Sequence, residues 1–272
     1  MIIKSTFQHI IPQRCYHLRG PTGVRVAIDH IQRAIKQKPF NYVIRADIKG
    51  YYASIDRKIL LNLLYENYQD TRLRGYFEQI VQMAVDKGGD VFVPTKGIPR
   101  RSSLSPFFGA LYLSALDKAI GQLPGVEYYR YMDDIIILAQ TKKQYQRAKK
   151  TLYSVLNELK LELSSSKTKM GRIESSFHFL GGQFEVTRIS QNKLQVSVSV
   201  HPRTCARALD RVKVLEEDAV NPATKQRYLI RWAAWWRHTL VSNRILSILS
   251  AWVVFAMVRD PVIDLGPQSS WG

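Results

Sequence analysis

Hydrophobic and polar residues alternate along the chain with two periods, which together predict a mixed protein of helices and strands. Residues 22–37 repeat apolar positions at helical spacing and stop before Pro39, so a helix is expected there. Residues 41–48 (NYVIRADI) are β-branched and aromatic, and they predict a buried strand that ends in an aspartate. Asp56 then has the character of an N-cap for a helix that contains the leucine-rich run 60–64.

The middle of the chain carries the signals of further helices and of a β-hairpin. The Ser-Pro pair at 105–106 joins a capping residue to a proline, and predicts a helix that runs on to Leu116. Residues 126–140 predict two strands joined by a tight turn at the Met-Asp-Asp sequence 132–134. Residues 142–160 predict a basic amphipathic helix.

A change of pattern near residue 200 predicts two domains. Residues 176–200 alternate like strands around a Gly-Gly step at 181–182, and helical spacing follows from there to the end. We therefore expect a first domain over residues 1–200 and a helical second domain over residues 201–272.

The charge of the chain indicates its partner class. Lys and Arg number 40 against 22 Asp and Glu, a formal net charge of +18 on 272 residues. This exceeds the magnitude of about 2–8 that keeps a small domain soluble. Cationic side chains on phosphates release counterions and so bind polyanions. Nucleic acid is therefore the expected partner.

Cysteine content and apolar segments bear on the compartment. Cys15 and Cys205 lie far apart and have no metal-ligand spacing, which indicates a reducing compartment without a disulfide framework. The N-terminus lacks the apolar core of a signal peptide. The apolar stretch 245–258 is interrupted by polar residues and is shorter than the roughly 20 residues that cross a bilayer. We expect a cytoplasmic protein without a membrane partner.

Three carboxylates are expected at one edge of the predicted sheet. Asp47 ends the first strand, and Asp133 and Asp134 lie at the tip of the hairpin. Acids beside an apolar core are unfavourable unless a cation compensates them, and clustered carboxylates suit Mg²⁺. Two such ions, about 3.5–4 Å apart, would activate a 3′-hydroxyl and stabilise a leaving pyrophosphate. A solvated turn is the usual meaning of an isolated Asp-Asp pair, but apolar residues flank this pair on both sides.

Five segments, taken together, resemble the bacterial reverse transcriptases related to group II introns, over residues from about 9 to 185. They are RADIKGYYASID (45–56), KGIPRRSSLSP (96–106), YYRYMDDIIILA (128–139), SSSKTKM (164–170) and FHFLGG (177–182). The resemblance implies an α+β right-hand polymerase fold, with an antiparallel palm sheet, flanking helices, reduced fingers and a helical thumb after residue 200.

The resemblance also implies roles for individual residues. The expected metal ligands are three side chains and one backbone group: Asp47, Asp133, Asp134 and Ile48. The backbone of Lys49 and Gly50 is expected near the triphosphate. Lys167 is the candidate proton donor to pyrophosphate, and a solvated lysine in a basic loop is the alternative. The primer end is expected on Phe179, Leu180 and Gly181, which hairpin packing alone would also explain.

Tyr52 lies at the family's sugar-gate position, five residues after Asp47. A ring under the ribose leaves no room for a 2′-hydroxyl, so the implied product is DNA. The adjacent Tyr51 is the alternative gate, because neighbours on a strand point in opposite directions. We favour Tyr52.

The chain departs from the family at two places. Arg100 and Arg101 follow Pro99 where the family has Gln-Gly, and we expect them to bind triphosphate or template phosphate. The N-terminal region is short, and only Arg19, within YHLRGPTG, is carried over as a nucleotide-binding residue. A generic phosphate contact or a solvated loop position would explain Arg19 equally well.

Two basic regions are candidate nucleic-acid surfaces. Residues 140–172 hold nine Lys and Arg, and we expect them to line a nucleic-acid channel beside the polymerase site, although a charge run is usually a solvated helix face. In the predicted thumb, tryptophans are interpreted as packing and arginines as backbone contacts. These arginines are Arg227, Arg231, Arg237 and Arg244.

These features predict an RNA-directed DNA polymerase that uses two Mg²⁺ ions, with Mn²⁺ as a substitute. It would copy an RNA template, a structured non-coding RNA, into DNA from a DNA primer and dNTPs. The resemblance to stand-alone bacterial enzymes adds an anti-phage defence role. One alternative is an RNA-dependent RNA polymerase, disfavoured by Tyr52. The other is a non-catalytic RNA-binding or splicing-helper protein, disfavoured by the retained carboxylates. The sequence predicts no oligomeric state.

Overall fold

The computed structural model describes residues 15–19, 22–99 and 102–217, together with 224, 227, 228 and 230–232. These residues form two compact units. The first contains the described residues up to Leu180 together with Phe184–Val196, and the second contains Gly181–Gln183 together with the described residues from Ser197 onward.

Helices and strands alternate along the described part of the chain. The helices are α1 (Gly23–Gln37), α2 (Tyr51–Ser54), α3 (Arg57–Asn67), α4 (Thr71–Val81), α5 (Ser105–Tyr112), α6 (Ser114–Gly121), α7 (Lys142–Glu158) and α8 (Pro202–Glu217). The strands are β1 (Tyr42–Asp47), β2 (Val85–Lys87), β3 (Asp90–Phe92), β4 (Val126–Tyr131), β5 (Asp134–Ala139), β6 (Lys169–Arg172), β7 (Phe177–Phe179), β8 (Gly182–Ser190) and β9 (Lys193–Val200). The 3₁₀ turns are Tyr16–Arg19 and Ile173–Ser175.

The central sheet is antiparallel and has the order β4-β5-β1-β6. At one end, Asp47 of β1 lies opposite Asp134 of β5, which also pairs with Tyr131 of β4. We call this the carboxylate end. At the opposite end, Ala139 of β5 pairs with Tyr42 of β1. Two smaller sheets are the hairpin β2-β3 and the three strands β7-β8-β9.

The two faces of the central sheet differ in character. Successive side chains on a strand point to opposite faces. Ile44 and Ala46 of β1, with Ile135 and Ile137 of β5, belong to a large core cluster built with residues of α3, α5, α6 and α7. Asp47 directly follows Ala46, and Asp134 directly precedes Ile135, so both side chains lie on the opposite face of the sheet. We call this face the carboxylate face. The fold is thus α+β, with antiparallel sheets and flanking helices.

Local signals explain where several helices begin. The periodic positions of α1 are buried, as expected from its apolar spacing. Asp56 caps α3, because its carboxylate accepts hydrogen bonds from the backbone of Lys58 and Ile59. At α7, Thr141 and Gln144 form a reciprocal capping box. The predicted helices at these three places are confirmed.

Other elements differ from the prediction. The helix expected to run from 105 to 116 is divided at Leu113 into α5 and α6. Ser105 is not its cap, since the hydroxyl donates to the Pro99 carbonyl. The hairpin β2-β3 was not predicted, because its exposed residues do not alternate between apolar and polar.

No helix within the described ranges is both long enough and apolar enough to cross a membrane. The apolar stretch 245–258 lies outside the described residues, and so do the later parts of the predicted helical domain. Helix α8 follows His201, whose backbone N–H donates to the Gly181 carbonyl within the second unit.

Candidate active site

The register of β1 and β5 brings carboxylates together at the carboxylate end. Asp47 and Asp134 are direct cross-strand partners on one face, and Asp133 lies in the turn before β5. Met132 begins that turn with a positive φ of 55°, a left-handed conformation that non-glycine residues rarely adopt. Only 6% of Asp47 is exposed. The site is therefore a partly buried group of acids at a strand edge.

Burial, with a smaller contribution from neighbouring acids, raises the pKa of two of the three carboxyl groups. Burial raises the pKa of Asp134 to about 6, against the opposing charge of Arg45 and with further upward contributions from Asp47 and Asp133. Burial also raises the pKa of Asp133, and the charge of Asp47 adds to this effect. Repulsion of this kind favours a bound cation at the site.

Two basic side chains hold the carboxylates. Arg45 Nη2 donates to Asp134 Oδ1 at 2.8 Å, and its Nη1 donates to the carbonyl oxygen of Lys167. Lys167 Nζ lies 3.2 Å from Asp47 Oδ2, while 58% of the lysine side chain remains exposed. Arg45 thus ties the loop that carries Lys167 to the carboxylate end, where the Lys167 side chain contacts Asp47.

The donor chemistry of the site fits a divalent cation. Carboxylate oxygens are the ligands that Mg²⁺ prefers, and a bound cation would favour the charged forms of Asp133 and Asp134, which burial disfavours. As placed, the described residues contain no group of three or more His, Cys, Asp or Glu side chains gathered closely enough to hold a metal ion. Arg45 and Lys167 contact the oxygen atoms of Asp134 and Asp47 instead. The charge of a bound ion would replace theirs.

The two adjacent tyrosines occupy different environments. Tyr51 is 3% exposed, and its hydroxyl donates to the Gly109 carbonyl, so its ring belongs to the core. Tyr52 is half-buried, and burial and then the charge of Asp133 raise its pKa. Of the two rings, Tyr52 is therefore the more accessible one. Both lie in the helical turn α2, so the strand alternation expected for this pair was wrong.

A buried network holds the turn before the acids. Arg130 Nη1 donates to the Met132 carbonyl at 3.0 Å, and its guanidinium pairs with Asp117 of α6. On the other side, the Met132 N–H donates to His17 Nδ1 at 3.1 Å. His17 Nε2 in turn donates to the Pro106 carbonyl at 3.1 Å. Both backbone polar groups of Met132 are thus fixed by side chains.

The comparison with known proteins identifies the family. The sequence profile of the family "Reverse transcriptase (RNA-dependent DNA polymerase)" matches residues 1–184, more than half of the chain. The chain belongs to the reverse transcriptase family.

One curated relative and several solved structures are similar to this reverse transcriptase. Protein YkfC of Escherichia coli (strain K12) is 22% identical over 200 residues, which cover 61% of this chain and 52% of that protein. The chain therefore spans about half the length of the curated relative that it matches. The structure of truncated apo telomerase from Candida tropicalis has a TM-score of 0.56 at 16% sequence identity. The match covers 74% of this chain and 44% of the telomerase chain. Candida albicans telomerase, in complex with a fragment of telomeric RNA, has a TM-score of 0.53 at 14% sequence identity. That match covers 74% of this chain and 36% of the telomerase chain. At these identities the likeness shows the fold alone.

Of the other predicted residues of the reverse transcriptase, three follow Asp47 directly and one lies in the first 3₁₀ turn. Ile48 is buried, and its backbone forms an isolated bridge with Leu163. Lys49 is exposed, and its Nζ atom lies 3.9 Å from Oε2 of Glu162. Gly50 precedes α2 with a φ of 55°, a conformation for which glycine is suited. Arg19 ends the first 3₁₀ turn.

The expected primer-binding segment, residues 179–181, combines one buried side chain with two partly exposed residues. Phe179 is fully buried, so hairpin packing accounts for its side chain. Leu180 and Gly181 follow in a turn with positive φ values of 50° and 83°. These two residues, rather than Phe179, are the accessible part of the segment.

Several predicted nucleic-acid contacts cannot be placed at this site. Arg100, Arg101, Arg237 and Arg244 lie outside the described residues. Arg227 and Arg231 are exposed in the second unit, and Arg227 Nη2 donates to Thr224 Oγ1 at 3.3 Å.

The structure adds residues that sequence reasoning missed. No role was assigned from the sequence to four residues that hold the site. Arg45 contacts Asp134, while His17 and the Arg130–Asp117 pair hold the turn at Met132. Arg45 and Arg130 carry a usable signal, since each is a charged residue inside an apolar strand that must find a partner. His17 and Asp117 carry no such signal, because their positions depend on tertiary packing.

The structure corrects the expected channel for the part of residues 140–172 that forms α7. The buried side of α7 packs with the core face of the sheet through Ala148, Leu152 and Leu156. The exposed side of α7 therefore points away from the carboxylate face. Lys167 lies at the carboxylates, but the basic side chains of α7 do not line that site.

Proposed function

We propose that the chain is an RNA-directed DNA polymerase, a nucleotidyltransferase that copies an RNA template into DNA. The observation that carries the proposal is the register that puts Asp47 directly opposite Asp134 on one face, with Asp133 in the adjoining turn. Membership of the reverse transcriptase family supports the same reaction.

Each side chain of the site has a role in this proposal. Divalent cations, Mg²⁺ or Mn²⁺, held by the three aspartates would activate the primer 3′-hydroxyl and stabilise the leaving pyrophosphate. Arg45 orients Asp134 through their hydrogen bond. Lys167, which keeps more than half of its side chain exposed, protonates the departing pyrophosphate.

Tyr52 selects the sugar in this proposal. Its ring lies beside Asp133 and is partly accessible, while Tyr51 is held in the core by its bond to Gly109. A ring at this position excludes a 2′-hydroxyl, so dNTPs are the substrates and DNA is the product.

The proposal extends to organisation and biology. Residues 1–200 would form fingers and palm and residues 201–272 a thumb, and the template would be a partner non-coding RNA. The net charge of +18 favours such an RNA partner. The similarity to telomerase, one structure of which contains a telomeric RNA fragment, favours it as well. A cytoplasmic anti-phage role rests on the resemblance to stand-alone bacterial enzymes.

Primer extension on an RNA template tests the reaction. Purified protein is supplied with Mg²⁺ and either dNTPs or rNTPs, beside Asp134→Asn and the control Asp90→Asn, which neutralises an exposed acid of the β2-β3 hairpin. We expect DNA product from the wild type and from Asp90→Asn, and none from Asp134→Asn.

Three results would contradict the proposal. Product from rNTPs at a rate equal to that from dNTPs would indicate an RNA polymerase. Equal activity in Asp134→Asn would remove the carboxylates from the mechanism. RNA binding without any extension, on any template, would support the non-catalytic alternative.

A further inference from the structure

Helix α7 carries a row of basic side chains on the side that faces away from the sheet. Its buried side consists of Ala148, Leu152 and Leu156. The exposed basic residues, which we call the α7 basic face, are Lys142, Lys143, Arg147 and Lys150. Lys149 lies beside them and is half-buried.

The central sheet separates the α7 basic face from the carboxylates, and the length of β5 separates the first turns of α7 from them as well. The buried side of α7 packs with the core face of the sheet, so the basic side chains lie beyond the face opposite to Asp47 and Asp134. Strand β5 runs from Asp134 at the carboxylate end to Ala139, about 17 Å away at the usual rise per residue. Helix α7 begins three residues later, at Lys142. Its first turns are therefore near the opposite end of the sheet.

No residue of the α7 basic face forms an ion pair with another described residue. Near the carboxylate end, in contrast, Lys160 pairs with Asp56 at 2.7 Å, and Lys167 lies 3.2 Å from Asp47. Within the described residues, Lys160 and Lys167 are thus paired with acids, whereas the four residues of the α7 basic face are not.

This arrangement is unfavourable for the helix by itself. Lys143 and Arg147 are one turn apart, where like charges repel. Lys142 and Lys143 lie in the first turn, which contains no acid and where the helix dipole already provides positive charge. Anionic ligands along this face would relieve both effects.

Aromatic side chains accompany the basic ones. Tyr153 is 48% exposed on the same helix. Tyr145, two turns earlier, stacks on Tyr42 with ring centroids 5.0 Å apart. The Arg172 guanidinium lies 5.0 Å from the centre of the Tyr42 ring. Basic side chains beside an exposed aromatic ring are typical of surfaces that bind a sugar-phosphate backbone and stack unpaired bases.

We propose that the α7 basic face binds the phosphate backbone of the RNA partner, at a segment outside the one being copied. The proposal rests on the proposed function in one respect, since the choice of RNA follows from the templating reaction. A single RNA would then contact the carboxylate face with its templating segment and α7 with a folded segment. Bound in this way, the RNA would stay attached while its template moves through the site.

Neutralising the face tests the proposal. The variant Lys143→Gln/Arg147→Gln/Lys150→Gln is compared with Lys58→Gln/Arg72→Gln/Lys193→Gln, which removes the same number of exposed charges elsewhere. Glutamine keeps helix propensity close to that of the replaced residues. Binding of a structured RNA hairpin with single-stranded loops is measured over a range of salt concentrations, and thermal melting checks that both variants fold.

The two variants are expected to differ. The α7 variant should bind the hairpin at least about tenfold more weakly, and the slope of log K against log salt should fall by about 2 to 3, since each phosphate contact contributes about 0.7–0.9. In the control variant, the slope should decrease by less than half as much as in the α7 variant. The comparison is repeated in the Asp134→Asn background, so that its result does not depend on polymerase activity.

Two outcomes would overturn the proposal. Equal losses in the two variants would mean that total charge, rather than this face, determines binding. Duplex DNA of the same length bound as tightly as RNA, and equally sensitive to the α7 substitutions, would refute RNA as the occupant. Failure of the wild type to extend any primer would overturn the proposed function and leave the α7 comparison intact.

Discussion

Met132 shows how a single backbone position controls the acids that follow it. A left-handed conformation costs a non-glycine residue about 1–2 kcal/mol, so the surrounding structure has to impose it. His17 accepts from the Met132 N–H and Arg130 donates to its carbonyl, which accounts for both polar groups of the residue. The direction of Asp133 and Asp134 therefore depends on two side chains from outside the turn.

His17 should make stability depend on pH. Burial, and then the charge of Arg130, lowers the pKa of His17 from 6.5 to about 4. Between these two values the unfolded chain binds a proton and the folded chain does not. The free energy of unfolding therefore decreases as the pH falls through this window, by about 1.4 kcal/mol per pH unit.

The variant His17→Gln removes this titration and retains an acceptor for Met132. Urea denaturation of both proteins from about pH 7 to about pH 5 measures the effect. We expect the difference in free energy of unfolding to shift in favour of the variant as pH falls. A difference that stays constant over this range would show that His17 does not titrate as proposed.

Tyr52 should determine sugar selection. Tyr52→Ala is expected to increase ribonucleotide use relative to deoxynucleotide use by about tenfold or more, equivalent to about 1.4 kcal/mol of lost discrimination. Tyr51→Phe is the matched control, because it removes only the hydroxyl that donates to Gly109. Competition between dNTPs and rNTPs in primer extension gives the ratio. An unchanged ratio in Tyr52→Ala would show that Tyr52 is not the gate.

At the scale of elements, the Arg130–Asp117 pair joins strand β4 to helix α6. Arg130 is fully buried, and Tyr128 donates a further hydrogen bond to Asp117. Removing one member of a buried ion pair leaves an uncompensated charge, which costs about 3–5 kcal/mol.

A double-mutant cycle tests this pair. Arg130→Met should lower the free energy of unfolding by about 3–5 kcal/mol, and Arg130→Met/Asp117→Asn should recover a large part of the loss. Asparagine keeps an acceptor for Tyr128. Urea denaturation gives the four values, and strictly additive losses would show that the two residues do not interact.

The cap of α3 offers a second test at this scale. Asp56 accepts two backbone hydrogen bonds and also pairs with Lys160. Asp56→Ala should destabilise the protein by about 1 kcal/mol, and Asp56→Asn by much less, since asparagine caps about as well as aspartate. Chemical denaturation separates the two. Equal losses would mean that the Lys160 pair matters more than the cap.

At the scale of the whole molecule, the charge of +18 is expected to dominate affinity for RNA. If the chain contacts six to ten phosphates, affinity should fall by about 10³–10⁵ between about 50 and 200 mM salt. Fluorescence anisotropy with an RNA hairpin measures this dependence. A peptide nucleic acid of the same sequence, which has no phosphates, is the matched control. Equal salt dependence for both ligands would exclude a phosphate-dominated interface.

The sequence by itself determined the parts of this protein that depend on local chemistry. The β-branched run before Asp47, the turn residues before Asp134 and the capping oxygens of Asp56 and Thr141 each act within a few residues. Periodicity consequently predicted α1, α3, α7, β1 and the β4-β5 hairpin. It missed the exposed hairpin β2-β3, where burial leaves no pattern.

Only the tertiary structure decided what depends on contacts between distant segments. The meeting of Arg45 with Asp134 follows from the register of two strands, and the contact of His17 with Met132 from packing across the fold. The position of the α7 basic face follows from which side of the sheet the helix covers. A charge run in the sequence shows that a polyanion is attracted, whereas the face on which it binds depends on packing, because a helix has the same periodicity on either side of a sheet.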